Sequence, residues 1–322
     1  MHSEFDLITR FLTPKPPPSE AGVALGVGDD CTLLSPTPGQ RLAVSVDTSV
    51  VDVHFPASAP AEAIGHRALA VSLSDLAAMG ARSRWCLMSL TLPASDAGWL
   101  EAFARGFHGL CEATGTALVG GDITSGELAI GVTVMGEVPP ACALTRHGAR
   151  SGDLLAVTGA LGGGAGGLAL WQQGERDLDH PLLARYLLPQ PRLAAGEALA
   201  GLATAAIDIS DGLHADLKHL LASSRVGAEL EAASLPLAEG LVEALGETRA
   251  REAALSGGDD YELLVTLPAG CIDEARERLA MTGLALSVIG RITATPGIAG
   301  IEEALHGGWQ HFSGQADDGE TP

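Results

Sequence analysis

The residues in this chain best suited to chemistry are its aspartates. They stand at six addresses: Asp29 and Asp30, Asp47, Asp75, Asp122, Asp208 with Asp211, and Asp259 with Asp260. Five of the six fall at an expected strand end or in a glycine-flanked turn, where α/β scaffolds place their sites. Singly, each has an ordinary explanation. Gly-Asp-Asp is a common turn, and Asp208 or Ser210 can cap the helix that follows. Together, such like charges repel one another unless cations meet them. Hard carboxylate oxygens, in a donor set with no Cys or paired His, suit Mg²⁺, which keeps several waters and binds substrate phosphates. The chemistry open to this set is metal-assisted handling of a phosphorylated substrate.

Asp75 poses the problem most sharply. Around it Leu69, Leu73, Leu76 and Ala77 or Met79 recur at three- and four-residue intervals, the pattern of a buried helix. An ionised carboxylate is costly there unless something positive or hydrogen-bonding meets it. No Lys or Arg lies within a turn on either side. The compensation must come from a distant arginine, from backbone N–H groups or from a metal ion.

The elements that must position these groups follow from periodicity and punctuation. A short amphipathic helix over Leu7, Ile8 and Phe11, with Phe5 before it, stops at Pro14. A strand over 41–46 delivers Asp47 at its end, and a loop beginning at His54 leads to a helix over 61–80. A strand at 85–92, a helix at 99–114 and a strand at 117–119 follow. That last strand runs into Gly120-Gly121-Asp122, and a strand over 128–138 closes the half before a linker over 139–152. The second half opens with a strand at 154–157 and a glycine-rich stretch at 159–167, then helices over 168–173 and 193–202. A strand at 205–207 ends at Asp208 and is followed by a helix over 213–223. The turn Gly257-Gly258-Asp259-Asp260 precedes a strand over 261–267, and a helix at 272–281 and a strand at 284–289 complete the half.

Composition bounds the rest. At 322 residues the chain fits two domains, and 46% hydrophobic residues with few aromatics describe an aliphatic globular core. Nineteen basic against 40 acidic residues give a net charge of −21, which disfavours nucleic acid and anionic membrane as partners. Glu4 and Asp6 stand where a secretion signal needs basic residues, and no stretch is apolar enough to span a membrane. Five scattered cysteines, never spaced Cys-x-x-Cys, fit reduced thiols in a cytoplasm.

Gly162–Gly167 formally satisfies G-x-G-x-x-G, yet the acidic residue expected about 20 positions on, at a second strand end, is missing. Asp177 and Asp179 lie in a polar loop, and no Gly-Lys-Ser/Thr follows, so neither a dinucleotide fold nor a Walker A loop is read here. A phosphate-approach loop and simple tight packing stay open. Arg146 is either a phosphate clamp or a surface arginine in the linker. Trp309 offers either a ring face for a cation or a plug for the second domain. His54 either lines a pocket or starts a loop.

The motifs Gly28-Asp29-Asp30, Val46-Asp47-Thr48, Leu73-Ser74-Asp75-Leu76-Ala77-Ala78-Met79-Gly80, Gly120-Gly121-Asp122-x-Thr124, Asp208-x-Ser210-Asp211-Gly212-Leu213 and Ser256-Gly257-Gly258-Asp259-Asp260-Tyr261-Glu262-Leu263 occur together and in order. This ordered set closely resembles the thiamine-monophosphate kinases, of the superfamily of aminoimidazole ribonucleotide synthetase and selenophosphate synthetase, from about Glu4 to Phe312. The resemblance implies an α/β (α+β), two-domain, aminoimidazole ribonucleotide synthetase-like fold. Residues 1–149 would form the ATP- and Mg²⁺-binding, dimerising domain, 150–313 a C-terminal α/β domain, and 314–322 a disordered tail. It implies transfer of the ATP γ-phosphoryl group to thiamine monophosphate, the final step towards thiamine diphosphate. Asp30, Ser45, Val46, Asp47, Asp75, Asp122, Asp208 and Asp211 would hold several Mg²⁺ ions. Gly121, Asp122, Arg146 and Ser210 would contact ATP, and His54, Asp259 and Trp309 the thiamine. A cytoplasmic homodimer is implied as well. Val46 stands where relatives often have Thr, so a contact there would use its carbonyl; Asp259 stands where they often have Glu, a longer arm. No residue is expected to act as general base, because a phosphate monoester is largely ionised above a second pKa of about 6. The rival readings are a sibling ATP-dependent synthetase and a non-catalytic nucleotide–metal binding protein.

Overall fold

The computed structural model describes residues 7–13 and 22–301. After a helical turn at Ile8–Leu12, β1 (Val23–Leu25) and β2 (Leu33–Leu34) form a small hairpin. β3 (Arg41–Val50), β4 (Arg82–Leu92), β5 (Ala117–Ser125) and β6 (Ala129–Val138) form one sheet in the order β3-β6-β4-β5. All of its pairings are antiparallel except β4 with β5. The strands are rich in Val, Ile, Leu and Thr, which favour the pleated surface. One face of the sheet carries two helices, α1 (Ala61–Ala78) and α2 (Ala97–Thr114). Asp96 caps α2 by accepting from the N–H groups of Gly98 and Trp99, and Gly115 ends it in the left-handed region.

Helix α1 is the axis of the molecule. Thirteen of its 18 residues are buried, so it has no solvated face to speak of. The N-terminal sheet and α2 cover it on one side and the second half of the chain on the other. The approach of α2 is close enough that a Cβ on Gly65 would lie 2.1 Å from the carbonyl oxygen of Phe103. A buried cluster runs from Ile64, Leu69 and Leu73 of α1 to Ala206, Leu263 and Val265 of the second sheet, joining the halves in one core.

That second sheet has the order β12-β9-β11-β7-β10-β8, from β7 (Leu154–Thr158), β8 (Ala205–Asp208), β9 (Gly227–Leu230), β10 (Leu263–Leu267), β11 (Leu286–Thr293) and β12 (Gly297–Ala299). Only β12 with β9 is parallel. Its helices are α3 (Gly163–Gln172), α4 (Pro181–Leu187), α5 (Leu193–Leu199), α6 (Leu213–Ser224), α7 (Leu241–Leu245), α8 (Glu247–Ser256) and α9 (Ile272–Ala280). The architecture is therefore α+β in both halves. Among the described residues no helix is long and apolar enough to cross a membrane.

Four sequence expectations need correction. The strand expected to end before Asp47 runs on to Val50, because Val46-Asp47-Thr48-Ser49-Val50 keeps the alternation and turns Asp47 inward, towards α1. Gly120, Gly121 and Asp122 lie within β5 and not in a turn after it. Most of the glycine-rich stretch is the start of α3. Glycine is a poor helix former, but a Cβ on Gly167 would lie 2.1 Å from the carbonyl oxygen of Leu182, so packing overrides propensity. The helix expected over 193–202 stops at Leu199, while α4, α7, α8, β9 and β12 had no sequence signal strong enough to read. Phe5, Trp309 and the tail lie outside the described residues.

Candidate active site

A cleft of about 1340 Å³ opens where the two halves meet. One wall is β3 with the loop after it, from Val46 to Pro56. The floor is the face of α1 bearing Arg67, Val71 and Asp75. The far wall comes from α3, the end of β8 and the turn Ser256–Asp259 with Tyr261. Val46, Asp47, Asp75, Asp208, Ser210, Asp211, His54 and Asp259, eight of the residues singled out from sequence, all line it.

Three aspartates from three elements form its anionic centre, and each is steadied by a serine hydroxyl. Ser72, whose hydroxyl donates to the Val132 carbonyl at 3.3 Å, also stands close enough to Asp47 to favour its ionised form. The Ser45 hydroxyl donates to the Asp75 carboxylate, and Ser74 Oγ donates to Asp208 Oδ2 at 2.7 Å across the boundary between the halves. Burial, reinforced by the charge of Asp75, pushes the Asp47 carboxyl up to about 6. The same two causes push Asp208 up to about 6, opposed by its bond to Ser74 and by the charge of Arg146. Among the described residues, no Lys or Arg forms an ion pair with Asp47, Asp75 or Asp208.

The loop after β8 is braced from α6. Asp216 accepts from the backbone N–H groups of Ser210 and Asp211, each at 3.1 Å. Burial, then the charges of Asp208 and Asp211, push the Asp216 carboxyl up to about 7. Such a concentration of desolvated, mutually repelling carboxylates fits a divalent cation. Among the described residues, no three His, Cys, Asp or Glu groups converge tightly enough to form a complete protein cage.

The opposite end of the cleft is apolar and aromatic, with Phe55, Leu168, Trp171, Tyr186 and Tyr261. His54 Nδ1 accepts from the Val50 N–H at 3.0 Å, which leaves the ring proton on Nε2. Asp259 is held by Arg67 at 2.6 Å and by the Tyr261 hydroxyl at 2.8 Å.

The remaining sequence-selected residues lie off the cleft, and Val46, at its rim, turns its side chain outward. Register aligns Thr48, Gly131, Ser89 and Asp122 in one row across the sheet. Asp122 therefore projects from the face opposite Asp47, three strand spacings or roughly 14 Å away. Gly121 shares the row of Asp47 at the far edge, and the Val46 side chain is 63% exposed on the outer face. Asp30 is exposed in the turn between β1 and β2, its N–H bonded to Asp29. Arg146 is exposed in the segment joining the halves. Trp309 falls outside the described residues.

Sequence reading missed Arg67, Trp171 and Tyr186. An arginine inside an Ala/Leu helix was itself a signal, since a buried charge needs a partner. The structure also explains the glycine-rich stretch. The N–H groups of Gly162 and Gly164 bond to Asp260 at 2.8 and 3.3 Å, so the start of α3 already holds an anion, and that anion is the protein's own. Burial drives that carboxyl up to about 7 against those two bonds.

Comparison with known proteins adds the following. The model for the N-terminal domain of AIR synthase related proteins matches residues 28–138, and that for the C-terminal domain matches 150–302. The chain is 43% identical over 300 residues to the thiamine-monophosphate kinase of Escherichia coli strain K12, covering 90% of each. It superposes on the crystal structure of thiamine-monophosphate kinase from Stenotrophomonas maltophilia K279a with a TM-score of 0.86 and 44% identity, over 92% of this chain and 96% of that one. On AaThiL complexed with AMPPCP and TMP it gives a TM-score of 0.77 at 34% identity, over 86% and 89%.

Proposed function

The chain belongs to the thiamine-monophosphate kinases of the AIR synthase related family, and from that premise we propose how its cleft passes the γ-phosphoryl group of ATP to thiamine monophosphate. ATP is the co-substrate, and the products are thiamine diphosphate and ADP. The observation that carries the reading is the meeting of Asp47, Asp75 and Asp208 beside an aromatic pocket at the junction of the halves.

The acceptor is a phosphate oxygen, already ionised at neutral pH, so no side chain has to remove a proton. The barrier is the approach of two polyanions in a protein of net charge −21. Asp47, Asp75, Asp208 and Asp211 would hold Mg²⁺, which when bound neutralises phosphate charge and stabilises the transferring group. The chain's own part is to hold and orient. Ser45, Ser72 and Ser74 steady the carboxylates, and Asp216 fixes the backbone of Ser210 and Asp211, which are assigned to the ATP phosphates and their Mg²⁺. Arg146, whose charge already reaches Asp208, is assigned to phosphate. At the other end the aromatic walls suit the cationic thiazolium, a contact worth ~0.5–2 kcal/mol. His54 and Asp259 are assigned to that substrate. Asp30, Gly121 and Asp122 lie off the cleft in a single chain and are left out of this assignment, as is Val46, which lines the rim of the cleft but has a 63% exposed side chain.

A homodimer is part of the proposal. β3 is an edge strand of ten residues, and Leu42, Val44 and Val46 are 47%, 57% and 63% exposed along its outer face. An apolar edge of that length invites a second copy. A cytoplasmic setting fits five cysteines with no disulfide.

The direct test is mass spectrometry of the chain incubated with ATP, Mg²⁺ and thiamine monophosphate. Thiamine diphosphate and ADP should appear in equal amounts; ATP binding with no transfer to this acceptor would overturn the reading.

A further inference from the structure

Arg67 lines the cleft, yet phosphoryl transfer itself has no use for it. It is a full positive charge in the middle of α1 with a side chain only 3% exposed, so it cannot be a general contact for ligands. Each nitrogen of its fork is engaged with a different wall. Nε donates to the His54 carbonyl at 3.2 Å, Nη1 to the Tyr186 carbonyl, and Nη2 to Asp259 Oδ1 at 2.6 Å. The guanidinium carbon lies 5.1 Å from the centre of the Tyr186 ring and 5.9 Å from that of Tyr261. Burial alone would weaken its hold on the proton, but the neighbouring charge of Asp259 and the two tyrosines more than reverse this.

The target of this fork is unusual as well. The Tyr261 hydroxyl donates at 2.8 Å to the same Oδ1 that Arg67 holds, and no bond from a described residue ends on Oδ2. The Asp259 side chain is 28% exposed and faces the cleft. Asp259 and Tyr261 both have positive φ, +69° and +51°, a conformation that non-glycine residues keep only when surroundings enforce it. Backbone bonds from Asp259 N to Ser210 O and from Tyr261 N to Ile209 O, both 2.8 Å, pin the turn from below, and Arg67 pins it from above.

We propose that Arg67 is a positioning residue for the acceptor substrate: it clamps one oxygen of Asp259, with Tyr261, so that the other faces the positively charged thiamine moiety. The proposal rests on the kinase reading above. It also gives the short aspartate arm a rationale, because a carboxylate tethered from behind presents a fixed oxygen without needing reach. Lysine cannot replace this function fully, since one ammonium on a flexible stem does not span three walls.

Steady-state kinetics of the full chain test it, varying thiamine monophosphate and ATP separately at saturating Mg²⁺. Turnover by the unaltered chain comes first; if none occurs with this acceptor, it is the kinase reading that fails. Given turnover, Arg67→Met should raise KM for thiamine monophosphate about tenfold or more, the size expected for loss of a hydrogen bond to a charged group. KM for ATP should stay within about twofold, and Arg67→Lys should fall between Arg67→Met and the unaltered chain. A merely structural arginine would move both KM values together or neither, and either result overturns the proposal. Should Arg67→Met fail to fold, Arg67→Lys and Tyr261→Phe decide by the same split. If both leave KM for thiamine monophosphate unchanged, the clamp is refuted.

Discussion

At the scale of single residues, the cleft is a problem in electrostatics that serines only partly solve. A hydroxyl donated to a carboxylate stabilises its ionised form, yet Asp47 and Asp208 still sit about two units above the ordinary aspartate value because burial and Asp75 outweigh the bond. Asp75 is the common neighbour of both, so its charge sets the field of the whole centre. Asp75→Asn should lower the rate of thiamine diphosphate formation at saturating substrates by roughly 10²–10³-fold, the loss typical of removing a preorganised electrostatic contact. The melting temperature in metal-free buffer should not fall, because one of three repelling charges has gone. Near-normal turnover in that variant would show that Asp75 is not central.

At the scale of elements, β3 and α1 do most of the positioning. β3 serves opposite purposes on its two faces. Its inward positions bring Ser45 and Asp47 to α1, and its outward positions carry Leu42, Val44 and Val46. Period two makes that division unavoidable: a slip of one residue would exchange the carboxylate for the apolar row. Val44→Glu should therefore convert a dimer to a monomer in sedimentation velocity while leaving the circular dichroism unchanged. A chain already monomeric at tens of micromolar would refute the dimer. On α1, Ser72, Ser74 and Asp75 are spread around more than one face, which works only because the helix has protein on every side. The same helix carries Arg67 at the aromatic end of the cleft, assigned here to thiamine, and Asp75 at the acidic end, assigned to phosphate, about two turns apart.

At the scale of the whole molecule, the cleft makes stability depend on pH and on divalent cations. Asp47 and Asp208 rise from 3.8 to about 6 on folding, and Asp216 and Asp260 to about 7. A raised carboxyl means that the folded chain binds protons more tightly than the unfolded one. Stability therefore falls as pH rises from about 4 through 6 to 7, and is level above that. Mg²⁺ held as proposed would reverse this for Asp47 and Asp208. The rise in melting temperature caused by Mg²⁺ should be small at pH 5 and larger at pH 7.5 when both are followed by scanning calorimetry. An equal rise at both values would mean that the ion binds away from these carboxylates.

The sequence by itself determined the chemical identity of the centre. Six acidic addresses, most at strand ends or in glycine-flanked turns and one in a helix with no nearby cation, can be read without coordinates, because charge and periodicity are local properties. It also determined α1, whose apolar spacing is strong. It did not determine which aspartates meet. Asp47 and Asp122 looked alike as residues beside a strand end, yet strand register puts them on opposite faces of one sheet. Nor did it separate Asp259, tied to Arg67 192 positions earlier, from aspartates without an arginine partner. The glycine-rich stretch resembled a phosphate loop because its N–H groups are indeed placed for an anion, and only packing revealed that Asp260 already occupies them. Pairings between distant elements depend on tertiary contacts, and no local pattern of residues encodes those.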